Sequence, residues 1–346
     1  MGSAEPVRQG HQTLDWRGKV RLGSTELFVP RVGIGTAPLG NFLGSISDSD
    51  AHAVLSQSVA LGFRYFDTAP LYGHGLAERR VGRAVAALER DAVVVSTKVG
   101  RLLRSGAPPD ETQYLYGEPV YTDVPAAGPL WDFSYDGVMS SVLESYERTG
   151  LDRFDILLLH DPDNHVQEAS TTAYEALDAL RSGGVVSGIG AGMNQSRVLA
   201  QLVATCDLDV VLCAGRYTLL DQSALDDLLP LCEERTVSVV IGGVFNSGIL
   251  SDPSPGARYD YVPAPPDVLR RAEELRDVCA RYDVPLPAAA LQFALAHPRV
   301  STVLLGVRTI AELEMDVQLL DHPVPTELWE ELRRLRMLRD DAPVPE

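Results

Sequence analysis

Eight short β-branched or leucine-rich runs alternate with segments of helical spacing, and this alternation predicts an α/β protein folded as a single (β/α)8 TIM barrel. The runs lack polar alternation, as strands covered on both faces of a parallel sheet do. At 346 residues the chain exceeds an ordinary compact domain but suits one barrel with a long insertion. A doubly wound sheet would carry a glycine-rich turn after its first strand. Here Gly33-Ile34-Gly35 runs on into Thr36-Ala37-Pro38, with no third glycine in place.

In chain order the expected strands are Val32–Gly35, Arg64–Asp67, Val93–Thr97, Phe154–His160, Val186–Gly190, Val210–Ala214, Val237–Ile241 and Thr302–Leu305. The first helix, Asp48–Leu61, opens on acidic and serine capping candidates and sets Ala51, Val54, Leu55 and Val59 on one face. Helical spacing continues at Leu76–Leu88, Tyr135–Thr149, Ala169–Arg181, Gln195–Ala204, Ala224–Glu234, Asp267–Tyr282 and Ile310–Leu319.

Residues 1–20 read as an N-terminal extension, 21–339 as the barrel and 340–346 as a frayed tail. A short hairpin is expected between about Gly10 and Pro30, turning near Arg21-Leu22-Gly23. The 35 residues Val99–Phe133 after the third strand are too long for an ordinary loop. They are rich in Pro, Gly and Tyr, and two readings stand: a lid or substrate wall on the catalytic face, or an excursion burying its own aromatics.

Hydrophobic residues at 45% and charged ones at 23% exclude a disordered or collagen-like chain. Forty-eight acidic against 30 basic residues leave a net charge of −18, a field that repels nucleic-acid phosphates and anionic membranes alike. Cys206, Cys213, Cys232 and Cys279 lie far apart without CxxC spacing, so buried thiols are expected, with no metal and no disulfide framework. No apolar run could cross a bilayer and the N-terminus lacks an apolar signal core, so residence in the cytoplasm is expected.

Barrel enzymes carry their chemistry at strand C-termini. The second strand ends in Asp67 and runs on to Tyr72, the third ends in Lys98, and the fourth ends in His160. Each alone has an ordinary structural reading: a cap, a loop aromatic, a solvated lysine, a core histidine. Four ionisable groups at three successive strand ends point instead to a shared site. His74 and His165 lie nearby and read first as solvated loop residues. Trp131 and Phe133 read as an apolar wall for a substrate or as packing that anchors the long loop.

The stretch Gly62-Phe63-Arg64-Tyr65-Phe66-Asp67-Thr68-Ala69-Pro70-Leu71-Tyr72-Gly73, with Ser96-Thr97-Lys98 and Leu157-Leu158-Leu159-His160, resembles the aldo-keto reductases. The resemblance runs from about Arg21 to Leu320. Arg31–Gly40, Gly190–Gln195 and Phe245–Leu250 are similar to the bacterial branch of D-threo-aldose, L-fucose and pyridoxal dehydrogenases. It implies a catalytic tetrad of Asp67, Tyr72, Lys98 and His160, with Tyr72 and His160 also meeting the substrate. In such a tetrad Lys98 lowers the phenol's pKa and Asp67 neutralises the lysine. His160 orients the reacting oxygen, and Tyr72 takes or gives the proton. Neither a metal nor a covalent intermediate is required.

The same resemblance implies NAD or NADP as cofactor. Its residues would be Gly35, Thr36 and Asp67 at the barrel mouth and Asn194 on the carboxamide. Phe245, Asn246, Ser247, Gly248 and Leu250 would wrap the pyrophosphate, with Ser247 and the Gly248 backbone as donors. Gly306, Val307 and Arg308 would face the adenosine. The chain departs from the family pattern at Gly192-Met193, where Ser-Asn is common. It departs again at Gly242-Gly243, where many members stack a tyrosine on the nicotinamide; Tyr217 could reach the mouth but is not that stacker. Glu312 stands at a basic position of NADP-preferring members, and Met315-Asp316 where Glu-Asn falls. An acidic residue there repels a 2′-phosphate and accepts from a ribose hydroxyl, which tilts the reading to NAD. The implied activity is oxidation of the anomeric hydroxyl of an aldose to a lactone. Reduction of an aldehyde or ketone natural-product intermediate is the alternative, and a slow, cofactor-binding regulatory subunit a remote one. The expected partner is thus a small sugar or carbonyl compound, and oligomeric state is not legible.

Overall fold

The computed structural model describes residues 15–107 and 113–345. Eight parallel strands close into a barrel: Val32–Gly35, Tyr65–Asp67, Val94–Val99, Ile156–His160, Gly188–Met193, Val210–Ala214, Ser238–Gly242 and Val300–Leu305. They pair in chain order, and the eighth returns to the first with Leu304 opposite Gly33. Tyr65, Ile156, Leu158, Val210, Val240 and Leu304 form one cluster with Leu22 and Val29 of the N-terminal hairpin. That hairpin pairs Lys19–Arg21 with Phe28–Pro30. The expected segment before residue 15 lies outside the described residues.

Some of the outer helices begin at side-chain caps. Ser47 Oγ accepts from Asp50 N at 3.1 Å ahead of Asp48–Ala60, and Ser134 Oγ accepts from Gly137 N at 3.1 Å ahead of Tyr135–Thr149. Two helices were not anticipated. Leu286–Ala296 is buried at nine of its eleven positions, so it shows no polar face and no readable period. Thr326–Arg334 packs on Pro266–Ala280, with Arg281 donating to Glu331 Oε1 at 2.8 Å. The tail is not frayed in its described part: Ala342 is buried and its carbonyl accepts from Arg333 at 2.7 Å.

The long segment after the third strand is a ribbon rather than a structureless loop. Arg101–Arg104 pairs antiparallel with Gly128–Trp131, and Tyr114–Leu115 pairs with Glu118–Pro119. Its tip is stitched to the loop after the first strand by Leu43 N→Val120 O at 2.8 Å and Asn41 Nδ2→Asp123 O at 3.2 Å. That first loop is braced from below by Arg80, whose guanidinium donates to Leu39 O, Ile46 O, Asn41 Oδ1 and Asp48 Oδ1. All four cysteines are buried and unpaired, and no described helix is long and apolar enough to cross a membrane.

Candidate active site

Asp67 and His160 end their barrel strands and Lys98 is the last residue but one of the strand between them, so the parallel register delivers all three to one rim. Lys98 Nζ donates to Asp67 Oδ2 at 2.6 Å and to Thr68 O at 3.0 Å, with both side chains buried. The other Asp67 oxygen accepts from Ser96 Oγ at 2.7 Å. Every acceptor near the ammonium is thereby engaged, which offsets the cost of burying the pair.

Tyr72 is carried by a turn over Ala69–Gly75, closed by Tyr72 N→Ala69 O at 3.1 Å and Gly75 N→Pro70 O at 2.7 Å. The turn presses its backbone on Gly40. Gly73 has φ +64, and a Cβ there would fall 2.3 Å from Gly40 O. Only glycine accepts both that conformation and that distance. The phenol ring then stands over Lys98, with Nζ 4.5 Å from its centre, and edge-on to His160 at 5.7 Å and 89°.

Burial raises the Tyr72 phenol well above its ordinary pKa of 10.0; the Asp67 and Asp161 carboxylates add to this, and the Arg101 guanidinium opposes it. Burial outweighs the expected lowering by Lys98, whose ammonium is engaged by Asp67 and Thr68 O. Burial, then the cations Arg101 and Lys98, push His160 well below 6.5, so its imidazole is neutral. His160 Nδ1 is buried with no partner among the described residues.

Two charged residues that the sequence did not single out complete the rim. Arg101, 4% exposed, follows the third strand and donates to Asp161 Oδ2 at 2.6 Å, with its guanidinium 3.8 Å over the Trp131 ring. Asp161 follows His160 directly, with Nε2 3.5 Å from Oδ2. Burial raises its carboxyl, and the Arg101 guanidinium opposes that. Position immediately after a strand end was the signal available for both. Tyr121 and Tyr261 reach over from the ribbon and from the loop after the seventh strand; Phe42 packs edge-on to both, at 5.5 and 5.1 Å.

Phe133 is buried beneath Gly100, where a Cβ would meet its ring at 2.2 Å, so it roots the ribbon in the core. Trp131 is half-buried, stacked on Phe133 at 6.0 Å and tilted against His165 at 5.3 Å. His165 is therefore wedged between two rings, and half-buried His74 lies 6.1 Å from Tyr121, so neither is a solvated loop residue. Tyr217 is a core residue stacked on Phe293 at 5.0 Å, not a residue of the mouth.

The residues expected at the cofactor divide into available and committed groups. Asn194 is half-buried after the fifth strand and its amide makes no hydrogen bond among the described residues. Ser247, at φ +61, accepts from Tyr261 N at 3.0 Å and keeps its own hydroxyl proton to donate. The Gly248 N–H, expected as a donor, bonds to Phe245 O at 3.0 Å, as does the Leu250 N–H at 3.1 Å. Asn246 is used internally: Nδ2 donates to Gly215 O at 3.0 Å and Oδ1 accepts from Thr218 at 2.6 Å. Thr36 spends its hydroxyl and N–H on Asp67 O, at 2.8 and 2.9 Å, beside half-buried Gly35.

Where the adenosine is expected, Gly306 is exposed and Val307 buried. The Arg308 guanidinium is held by Phe42 O at 3.0 Å, Gly44 O at 2.8 Å and Ser45 O at 3.1 Å, so a 2′-phosphate would compete with three carbonyls. Glu312 closes a capping box, accepting from Arg308 N at 2.6 Å and Thr309 N at 3.3 Å. The Thr309-x-x-Glu312 spacing was the available signal for that role. Asp316 is buried, and burial with the nearby Glu312 pushes its carboxyl up to about 7.

Comparison with known proteins agrees with this geometry. The Aldo/keto reductase family model matches residues 31–336. The chain is 41% identical over 318 residues to D-threo-aldose 1-dehydrogenase from Pseudomonas sp, covering 90% of this chain and 95% of that one. It is 38% identical to pyridoxal 4-dehydrogenase from Microbacterium luteolum, over 91% of this chain and 96% of the other. An aldo-keto reductase from Bacillus halodurans in its holo form superposes with a TM-score of 0.73 at 27% identity, covering 92% and 95% of the two chains. The chain belongs to the aldo/keto reductase family and is an NAD(P)-dependent oxidoreductase.

Proposed function

We propose that the protein oxidises the anomeric hydroxyl of an aldose to a lactone, with NAD as the preferred acceptor. The observation that carries this reading is the convergence of Tyr72, the buried Lys98–Asp67 pair and neutral His160 on one barrel rim. Relatives named as dehydrogenases of D-threo-aldoses, pyridoxal and L-galactose support the sugar and hydroxyl-oxidation part.

The free Asn194 amide and the Ser247 hydroxyl suit a dinucleotide, the first for the carboxamide and the second for the pyrophosphate. A bound nicotinamide supplies the carbon that accepts or gives hydride. His160 then holds the reacting oxygen in place through a ring nitrogen. Tyr72 Oη takes the hydroxyl proton in oxidation and returns it in reduction. Lys98, with its charge balanced by Asp67, favours the phenolate that oxidation needs. Glu312 and Asp316 near the adenosine end, together with the engaged Arg308, support NAD over NADP.

Carbonyl reduction is the second reading, and the raised pKa of Tyr72 favours it because a neutral phenol is the proton donor. A panel of aldoses with NAD and of aldehydes with NADPH, followed by nicotinamide absorbance, separates the two. Turnover of sugars with NAD is expected; activity on carbonyls alone, or a large advantage in kcat/KM for NADP, would overturn the proposal.

A further inference from the structure

We infer that Asp161 is a specificity-determining residue that accepts a hydrogen bond from the hydroxyl on the carbon next to the reacting one. The inference rests on hydride transfer at this site, but not on its direction. Arg101 NH2 holds Oδ2 at 2.6 Å, and the guanidinium is clamped against Trp131 at 3.8 Å, so the carboxylate has one orientation. The same oxygen lies 3.5 Å from His160 Nε2, which puts the group beside the ligand of the reacting oxygen. Oδ1 has no partner among the described residues, and 32% of the side chain is exposed. Asp161 also has φ +44, a conformation that non-glycine residues rarely hold.

Chemistry makes this free oxygen selective. A paired carboxylate accepts hydrogen bonds and donates none. An aldehyde or ketone oxygen also only accepts, so a plain carbonyl compound gains nothing from Oδ1. A substrate with a neighbouring hydroxyl donates to it, and one lacking that hydroxyl leaves a charged acceptor poorly solvated in the closed complex. Arg101 is the positioning residue of the pair. It fixes Oδ2 in place, and after burial its charge is the next largest influence that keeps His160 neutral.

The test compares kcat/KM for paired substrates that differ by one hydroxyl. In oxidation the pair is an aldose and its 2-deoxy form with NAD; in reduction it is glyceraldehyde and 3-hydroxypropanal with NADH or NADPH. The wild type should prefer the 2-hydroxy member. Asp161→Ala should lower that preference by about 10-fold or more, the loss expected for a hydrogen bond to a charged group. Equal loss on both members would mean a merely structural role and would overturn the inference. If leaving Arg101 unpaired unfolds the protein, the double variant Arg101→Met/Asp161→Met removes the charge pair whole, and the same ratio decides. A wild type that reduces carbonyls but oxidises no aldose overturns the aldose reading, while the reductive pair still decides the role of Asp161.

Discussion

Tyr72 stands where a phenol can exchange a proton with a substrate oxygen, and its high pKa fixes how activity responds to pH. The protonated form dominates at neutral pH, so reduction should be flat across that range. Oxidation needs the phenolate and should rise with pH through the alkaline range without a plateau near neutrality; a pH profile of kcat in each direction checks this. Tyr72→Phe removes the proton carrier and should lower kcat by about 10²–10⁴-fold. Cofactor affinity, read from quenching of protein fluorescence, should be unchanged. Asp316 has a stability signature. Its folded pKa of about 7 lies above the ordinary 3.8, so the folded state resists ionisation. Its contribution is fully favourable below about pH 4 and is lost as pH rises through 7. Asp316→Asn should therefore raise stability at pH 8 by about 1–4 kcal/mol and change it little at pH 4, as measured by denaturant unfolding.

At the scale of the element, the turn Ala69–Gly75 is held by glycine packing rather than by side chains. Gly73→Ala forces a Cβ to within 2.3 Å of Gly40 O at a positive φ, so the turn must move. We expect a loss of about 1–3 kcal/mol in stability and a fall in kcat larger than in cofactor affinity, because the turn carries Tyr72 and not the proposed dinucleotide donors. Near-wild-type kcat would show that Tyr72 is positioned by something else. The ribbon after the third strand shows why element identity was only partly legible. Its aromatics and its length were evident, but its pairing depends on Arg101 meeting Trp131 thirty residues later. Leu286–Ala296 was missed for the opposite reason: a helix buried all round has no amphipathic stripe to read.

At the scale of the molecule, the barrel is closed below by the hairpin and covered above by the ribbon. Leu22 and Val29 are fully buried against Ile156, Leu158 and Val210, so the hairpin is part of the core. Leu22→Ala should cost about 2–5 kcal/mol in denaturant unfolding while leaving the KM for cofactor unchanged, since the proposed cofactor residues lie at the other end of the barrel. The net charge of −18 asks that an anionic dinucleotide be met by local donors. The donors proposed for that contact are few, Asn194 and Ser247 among them.

By itself the sequence set out the eightfold alternation, though the third and fifth strands run on past their expected ends to Val99 and Met193, and pointed to Asp67, Tyr72, Lys98 and His160 as neighbours at one rim. Each of these is a local pattern: a period, a run, or a residue where a run stops. Tertiary structure alone decided which donors are free. Asn246, Thr36, Arg308 and Glu312 look available in sequence but are spent on partners within the protein, three of them across 28 or more residues. Arg101 and Asp161 sit beside two tetrad residues, yet their contact spans 60 positions. Hydrogen bonds at such separations depend on how strands pack, and no local pattern encodes them.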